Sequence, residues 1–297
     1  MSNTISLPPN QTDRGVGLEV WMQRVVECAD RAREDWDENS VHDLRVALRR
    51  CRTMAEALSQ VNPDSGWRKI RKSSRDIFRV LGELRDTQVE RSWVKKLAPA
   101  KESLRAHLLR VLTRREKAER TAACDALEQF GLKEWKKLSR KLERKARLFP
   151  LESVVFQRLA LLKLQETSQL FAKARKSRSG AAWHRARIGL KHFRYIAENF
   201  LPRRYGPIMA DVKHIQDLLG EVHDCDVLRS DVRRNSRGIE PSSLADWLAR
   251  IQGERKSRLA DVVAKTSGAG SLLQIWRSRF EIAHPLVSEP LLDRRSA

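Results

Sequence analysis

Basic side chains recur at helical spacing in the segment VHDLRVALRR, which begins at Val41. Positions i, i+3, i+7 and i+10 of a predicted helix share one face and here hold His42, Arg45, Arg49 and Arg52. Ten residues of helix span about 15 Å, which exceeds one phosphate and suits a chain of them. Arginine gives phosphate paired, charge-assisted hydrogen bonds and keeps its charge. The spacing therefore predicts a site for an extended polyanion.

An apolar stripe lies beside this basic row on the same predicted helix. It consists of Val41, Leu44, Leu48, Cys51, Ala55 and Leu58. Like charges one turn apart cost an isolated helix about 0.2–0.5 kcal/mol per pair, so a fold serving stability alone would alternate charge signs here. The alternative interpretation is a solvated face, or a row paired with acids of other helices. The candidate acids are Glu56, Glu83, Asp86, Glu198, Glu221 and Asp224.

The basic row occurs twice in the chain. Residues 41–58 align with residues 183–200 at an offset of 142. The identical pairs are His42/His184, Arg45/Arg187, Leu48/Leu190, Arg52/Arg194, Ala55/Ala197 and Glu56/Glu198, while Arg49 and Arg50 align with Lys191 and His192. Two copies of one row favour a binding role over a chance solvated face.

A second pair of matching segments follows the two rows. LGELRD at residues 81–86 matches LGEVHD at residues 219–224. Arg75 and Lys213 each lie seven residues before the glycine of these segments. Two matches in the same order predict two similar helical halves, joined near Phe149 and Pro150.

Composition and periodicity predict an all-α protein with affinity for polyanions. The 297 residues include 59 Lys and Arg against 38 Asp and Glu, a formal net charge of +21. Such a charge attracts polyanions and makes their binding sensitive to salt, without specifying a fold. Helical spacing dominates and strand-like alternation is nearly absent. We expect flexible tails at residues 1–17 and 285–297, with helical halves at 18–148 and 149–284.

The sequence contains no recognisable secretory signal and no apolar run of membrane-spanning length. Its four cysteines, Cys28, Cys51, Cys124 and Cys225, are far apart and include no C-x-x-C pair. This pattern is typical of reduced thiols rather than of a disulfide framework. We therefore expect a cytoplasmic protein.

The two pairs of segments together resemble a known family. HDLRVALRRCR and HRARIGLKHFRY, followed by LGELRD and LGEVHDCDV, are similar to the CHAD family, the conserved histidine α-helical domain. The resemblance runs by motif from about Leu18 to Asp231. It implies two four-helix bundles related by a pseudo-twofold axis, a basic groove or cavity between them, and binding of inorganic polyphosphate, often at polyphosphate granules. Some relatives are fused to a triphosphate-tunnel enzyme whose E-x-E-x-K signature this sequence lacks, so we expect the stand-alone form.

The resemblance assigns the polyphosphate site to residues of both rows. These are His42, Arg45, Arg49, Arg50 and Arg52 in the first half, and His184, Arg187, Lys191, His192 and Arg194 in the second. Arg75 and Lys213 are expected to face the same groove, and Lys72 and Arg79 to extend it. His192 stands where a permanent cation is more typical, which predicts a weaker second row near neutral pH. No cofactor or metal site is predicted, and polyphosphate-metabolising enzymes are the expected protein partners.

The two row histidines predict pH-dependent binding. With a reference pKa near 6.5, His42 and His184 should be neutral among arginines and gain charge once a polyanion arrives. We expect tighter binding at pH 6 than at pH 8.

Nucleic-acid binding is the main alternative function, because phosphate contacts alone give sequence-independent affinity. Single-strand binders interleave exposed aromatic residues with basic ones so that bases can stack. Here aromatic residues make up 6% of the chain. Most Trp and Phe positions, such as Trp183, Phe193 and Phe200 on the repeated helix, fall on the apolar stripe. We expect only non-specific nucleic-acid binding at low salt.

An HD-type metal phosphohydrolase is a second alternative, because the chain contains two His-Asp dipeptides at His42 and His223. The repeat argues against it. His42-Asp43 aligns with His184-Arg185, whereas His223-Asp224 aligns with Arg85-Asp86. The two dipeptides therefore do not form equivalent sites, and we expect a non-catalytic protein.

Another basic stretch, KEWKKLSRKLERKAR at residues 133–147, has apolar positions at helical spacing. These are Trp135, Leu138 and Leu142. Such a helix either lies on an anionic membrane or packs in a bundle with a solvated basic face. In the second case it widens the positive field and steers polyanions towards the site.

Overall fold

The computed structural model describes residues 17–99, 101–177, 179–237 and 239–281, and these residues form helices and no strands. The prediction of an all-α fold is confirmed. The helices are α1 Leu18–Glu34, α2 Glu38–Val61, α3 Ser65–Ser73, α4 Arg75–Leu97, α5 Ser103–Glu128, α6 Leu132–Ala146, α7 Val154–Ser177, α8 Gly180–Phe200, α9 Pro202–Tyr205, the 3-10 helix η1 Gly206–Ile208, α10 Met209–Arg234, α11 Pro241–Thr266 and α12 Leu272–Phe280.

Side-chain caps fix where the two row-bearing helices begin. Asp37 caps α2 by accepting from the Ser40 backbone N–H at 2.6 Å, and the Ser40 hydroxyl accepts from the Asp37 N–H at 3.1 Å. Ser179 caps α8 by accepting from the Ala182 N–H at 3.1 Å. Ser40 itself looks like a cap in the sequence because it directly precedes the row. The reciprocal capping box instead starts the helix one turn earlier.

The order and pairing of helices repeat along the chain. Four hairpins form from α1 with α2, α4 with α5, α7 with α8, and α10 with α11. In addition α6 packs on α1, and α12 packs on α7. The row-bearing helices α2 and α8 contact each other, as do α4 and α10. We call α1–α6 the first series of helices and α7–α12 the second series. A pseudo-twofold axis between the two series stays a prediction.

The apolar cores do not divide between the two halves of the sequence. One core joins the C-terminal part of α4 and the start of α5 to α10 and α11, through residues such as Trp93, Leu108, Leu228 and Trp247. The other joins α1, α2, α3 and α6 to α7, α8 and α12. Each half therefore buries part of its apolar surface against the other, because hairpins from both series pack together.

The basic helix α6 packs its apolar face into the protein. Trp135 and Leu142 are buried, and the Trp135 Nε1–H donates to the carbonyl of Met22 at 3.0 Å. This face is therefore unavailable to a membrane, and α6 is a bundle helix with a basic outer face. No helix in the described part of the chain has the length and apolarity needed to cross a membrane. The predicted tails, residues 1–17 and 285–297, lie outside the described residues except for Gly17.

A buried pair of carboxyl groups joins α4 to α10. Glu90 and Asp231 are 5% and 7% exposed. Between them, Arg115 of α5 donates to both, with a distance of 2.6 Å to Asp231 Oδ2, and its Nε donates to Thr87 Oγ1 at 2.9 Å. Burial, followed by the hydrogen bond and charge of Asp231, raises the pKa of Glu90 to about 7.

Glu90 should make a contribution to stability that is lost as the pH rises towards 8. Its reference pKa is 4.5, so between that value and about 7 the folded state keeps a proton that the unfolded chain releases. The contribution of Glu90 to the free energy of unfolding therefore drops across this window, by about 3 kcal/mol for a shift of this size. Urea unfolding at pH 5 and pH 8 should show Glu90→Gln removing most of that drop, because glutamine does not titrate. The exposed control Glu128→Gln should retain it, and equal pH dependence in both variants would refute the role of Glu90.

Candidate functional site

The apolar stripes of α2 and α8 hold the two basic rows in place. Val41, Leu44, Leu48, Cys51, Ala55 and Leu58 are all buried, which confirms the predicted stripe. On α8 the equivalent positions Trp183, Ala186, Leu190, Phe193, Ala197 and Phe200 are buried as well. The aromatic residues of this set are thus core residues, as the periodicity predicts. Each basic row consequently lies at the edge of a packed helix face.

Four cations from the two rows form what we call the central cluster: Arg45, Arg49, Arg187 and Lys191. All four are half-buried. The Nε atoms of Arg45, Arg49 and Arg187 are buried and have no hydrogen-bond partner among the described residues. The guanidinium of Arg49 lies 5.5 Å from the ring centre of Tyr195. The structure thus brings together cations that lie more than a hundred residues apart and leaves three of their Nε donors without a hydrogen-bond partner among the described residues.

Burial and repulsion between neighbouring cations lower pKa values in the central cluster. Burial, followed by the charges of Arg187, Arg49 and Arg45, lowers the pKa of the Lys191 ammonium to about 7. Burial and the charge of Arg49 also lower the pKa of Arg45. An anion placed among these groups would reverse the effect, because an opposite charge favours the protonated form.

Two carboxyl groups border the central cluster. Asp86 of α4 and Asp224 of α10 lie in equivalent positions of the LGELRD and LGEVHD segments. Burial raises the pKa of Asp224 to about 6 even though Arg187 opposes the shift. Burial also raises the pKa of Asp86, against the charges of Arg45 and Arg187. Both acids are therefore easier to protonate than usual, so they balance the four cations only in part.

A histidine lies at the start of each row, and each interacts with a residue that the sequence reasoning left out of the site. His184 Nδ1 lies 3.3 Å from His223 Nδ1. Burial, followed by the charge of Arg85, lowers the pKa of His42. Burial, followed by Arg187, lowers the pKa of His184, and burial with Arg187 lowers that of His223 to about 4. The missed residues Arg85 and His223 occupy equivalent positions before the aspartates, so the second repeat contained the signal.

The remaining predicted residues lie towards the edges. His192, Lys72 and Lys213 are exposed. Arg75 lies beside Asp76 at 3.3 Å, and Arg79 pairs with Glu83 at 2.8 Å. Within the described residues none of these five forms a hydrogen bond or an ion pair with the central cluster, and their assignment to the site stays a prediction. No group of three or more His, Cys, Asp or Glu that could hold a metal ion occurs in the described ranges.

Comparison with known proteins identifies the family. The model of the CHAD domain matches residues 21–233. The chain belongs to the CHAD family. Four solved chains are similar in structure to this CHAD protein. PptA from Streptomyces chartreusis is 15% identical with a TM-score of 0.64, and the match covers 90% of this chain and 96% of PptA. The CHAD domain from the plant Ricinus communis is 21% identical with a TM-score of 0.55, covering 89% and 88%. No curated protein matches this chain.

Three of the predicted site residues form polar contacts that contribute to the packing of this protein. Arg50 of α2 donates to Glu198 Oε1 at 2.5 Å and to Asn199 Oδ1 at 3.1 Å, and its guanidinium lies 4.4 Å from the ring centre of Trp21. Arg194 pairs with the other oxygen of Glu198 at 3.3 Å. Glu198 is thus an acid partner of the kind that the alternative interpretation of the row required, and among the described residues its ion pairs are with these two arginines.

Arg52 is the third such residue. Its Nη1 donates to the carbonyl of Arg71 at 2.6 Å and to the Ser74 hydroxyl at 3.1 Å, which ties α2 to the end of α3. These contacts give Arg50, Arg52 and Arg194 a structural role. Their assignment to the anion site stays a prediction.

We expect Arg50→Met to affect stability much more than ligand binding. The substitution leaves Asn199, which is fully buried, without its donor and removes one of the two cations from Glu198. Breaking such a half-buried pair should lower the free energy of unfolding by about 3 kcal/mol in urea titrations. Polyphosphate affinity should fall less than about threefold. An exposed control, Arg110→Met, should change neither quantity, and an unchanged urea midpoint for Arg50→Met would contradict this role.

Proposed function

We propose that this CHAD protein binds inorganic polyphosphate, without catalysing a reaction, through the central cluster and the rows that extend from it. The observation that carries the proposal is the central cluster itself. Its half-buried cations come from two helices, and three of them have Nε donors without a hydrogen-bond partner among the described residues. Burying unpaired charge is costly, so such an arrangement favours an anionic ligand that supplies the missing partners. Phosphate oxygens fit guanidinium groups well because they accept paired hydrogen bonds.

A chain of phosphates suits the proposal better than a single one. The row on α2 spans about 15 Å from His42 to Arg52, and α8 repeats the same pattern. One orthophosphate can satisfy only a few neighbouring donors at a time. A polymer of phosphates can neutralise the central cluster and continue along both rows.

The main alternative remains sequence-independent nucleic-acid binding. Stacking of bases needs exposed aromatic side chains beside the cations. Among the aromatic residues nearest to the central cluster, Tyr195 is 6% exposed and Phe78 is only half-buried, with Arg45 and Arg52 already over its ring. This arrangement favours a ligand that consists of phosphate alone.

Chain length provides the test of the proposal. Orthophosphate, pyrophosphate, tripolyphosphate and long-chain polyphosphate can be titrated separately at about 150 mM salt. Affinity should rise steeply with each added phosphate until the rows are spanned, since each new phosphate reaches another cation. If all four ligands bind equally weakly per molecule, the proposal is wrong. Association with polyphosphate granules and with polyphosphate-metabolising enzymes follows from the same proposal and stays a prediction.

A further inference from the structure

The outer surfaces of α3 and α6 form a cationic region that the central cluster does not include. Ten exposed cations lie there, which we call the α3–α6 face: Arg68, Lys69, Arg71, Lys72, Lys133, Lys136, Lys137, Arg140, Lys141 and Arg144. Among the neighbouring acids, Asp64 pairs with Lys145 and Glu143 pairs with Arg147, while the exposed Glu134 of α6 forms no ion pair with any of the ten within the described residues. The described residues supply no ion-pair partner for any of the ten.

This face is continuous with the row on α2. Arg52 donates to the Arg71 carbonyl at 2.6 Å. Burial, followed by the charge of Arg71, lowers the pKa of Arg52, and Arg75 adds to the effect. Arg71 and Arg75 therefore lie close enough to Arg52 for their charges to affect its pKa. A polyanion that reaches Arg52 meets the C-terminal end of α3 next.

The helices α3 and α6 also pack directly against each other. A Cβ at Gly66 of α3 would clash with the side chain of Leu142, so the glycine permits a close approach. The Asp64 carboxyl at the start of α3 is hydrogen-bonded to Lys145, and the charge of Lys141 also lowers its pKa. Cations thus follow one another from α2 across α3 to α6.

The second series of helices does not reproduce this face. Its counterpart of α3, α9 with η1, contains only Arg203 and Arg204 as cations. The Arg203 backbone N–H donates to Glu152 Oε1 at 2.7 Å, and the Arg204 Nε lies 4.0 Å from Glu152 Oε2. Its counterpart of α6, α12, contains Arg277 and Arg279, and Arg277 pairs with Glu281 at 3.0 Å. The cationic extension is therefore one-sided.

We propose that the α3–α6 face binds the part of a long polyphosphate chain that extends beyond the central cluster and Arg52. This inference rests on the proposed function and adds a direction and a chain-length dependence to it. At 0.15 M salt, charges are screened within about 8 Å, so a short chain held at the central cluster is unaffected by most of α6. A long chain that lies on the face exchanges condensed counterions for lysine and arginine contacts, which strengthens its binding and its salt dependence.

The test compares two variants that lose the same charge. One is Lys137→Gln/Lys141→Gln/Arg144→Gln on α6. The control is Lys173→Gln/Lys256→Gln/Lys265→Gln, three exposed positions on α7 and α11. The probes are tripolyphosphate and long-chain polyphosphate. We expect the α6 variant to lose about tenfold in long-chain affinity, as three exposed charge contacts would give, and to bind tripolyphosphate as the wild type does. The control should lose less than twofold with either probe.

The outcomes separate this inference from the proposed function. Equal losses in the two variants would mean a diffuse positive field, which overturns the inference and leaves the central cluster intact. An α6 variant that loses affinity for duplex DNA or for anionic vesicles, and not for polyphosphate, would overturn it in favour of another ligand. Wild-type protein that binds neither polyphosphate probe would refute the proposed function itself.

Discussion

Replacing Arg45 and Arg187 together with glutamine is expected to lower polyphosphate affinity by about a hundredfold or more. The two guanidinium groups come from different helices and have buried Nε atoms without partners among the described residues. A hydrogen bond to a charged group contributes about 1.5–3 kcal/mol, so the loss of two amounts to about 3 kcal/mol or more. Glutamine is used because a glutamate would add a carboxylate beside Asp86 and Asp224. Fluorescence titration with long-chain polyphosphate measures the effect.

The control for this double variant removes the same charge elsewhere. Arg110 and Arg158 are exposed residues of α5 and α7. Their double replacement by glutamine should lower the affinity less than about threefold, because only the long-range field changes. Circular dichroism should show unchanged helicity in both proteins. If affinity fell equally in the two double variants, binding would depend on net charge, and the central cluster would not be the polyphosphate site.

Polyphosphate affinity is also expected to rise about tenfold between pH 8 and pH 6. Lys191, with a pKa of about 7, is mostly neutral at pH 8 and mostly charged at pH 6. A bound polyanion keeps it protonated, so binding takes up a proton whenever the free lysine lacks one, and affinity increases as the pH falls through 7. Asp224, with a pKa of about 6, acts in the same direction because it loses negative charge. Burial lowers the pKa values of the row histidines His42 and His184, which makes them gain charge less readily than free imidazoles as the pH falls.

The variant Lys191→Arg isolates the contribution of the lysine. An arginine stays charged throughout this range, so the variant should bind more tightly than wild type at pH 8 and equally at pH 6. Lys256→Arg, at an exposed position of α11, should retain the wild-type pH dependence. Calorimetry in buffers of different ionisation enthalpy should detect the proton uptake at pH 7.5 for wild type only. A steep pH dependence that survives Lys191→Arg would transfer the effect to Asp224 and the histidines.

Local patterns predicted the helices and the two basic rows well. The apolar stripe of α2 is visible in the spacing of Leu44, Leu48 and Cys51, and all three are buried. The repeat identified Arg45 and Arg187 as equivalent residues, and the structure places both in the central cluster. These predictions succeeded because they depend on spacing within one helix or on comparison of two similar segments.

Long-range partners could not be predicted in the same way. Arg49 and Arg50 are adjacent in sequence, yet Arg49 joins the central cluster while Arg50 pairs with Glu198, which is 148 residues away. Consecutive side chains of a helix point about 100° apart, so adjacent residues face different surroundings. The partner of each side chain therefore depends on which helix packs on that side. The sharing of cores between halves and the low pKa of Lys191 arise in the same manner from packing between distant segments.

Competition for labelled long-chain polyphosphate tests the central claim most directly. Unlabelled polyphosphate, duplex DNA, single-stranded RNA and orthophosphate would be compared at about 150 mM and 500 mM salt. Polyphosphate should compete more than tenfold better per phosphate than either nucleic acid, and it should keep measurable affinity at the higher salt, because half-buried charges are screened less than exposed ones. Equal competition by DNA or RNA, with all binding lost at 500 mM salt, would contradict a specific polyphosphate site and make nucleic-acid association the leading interpretation.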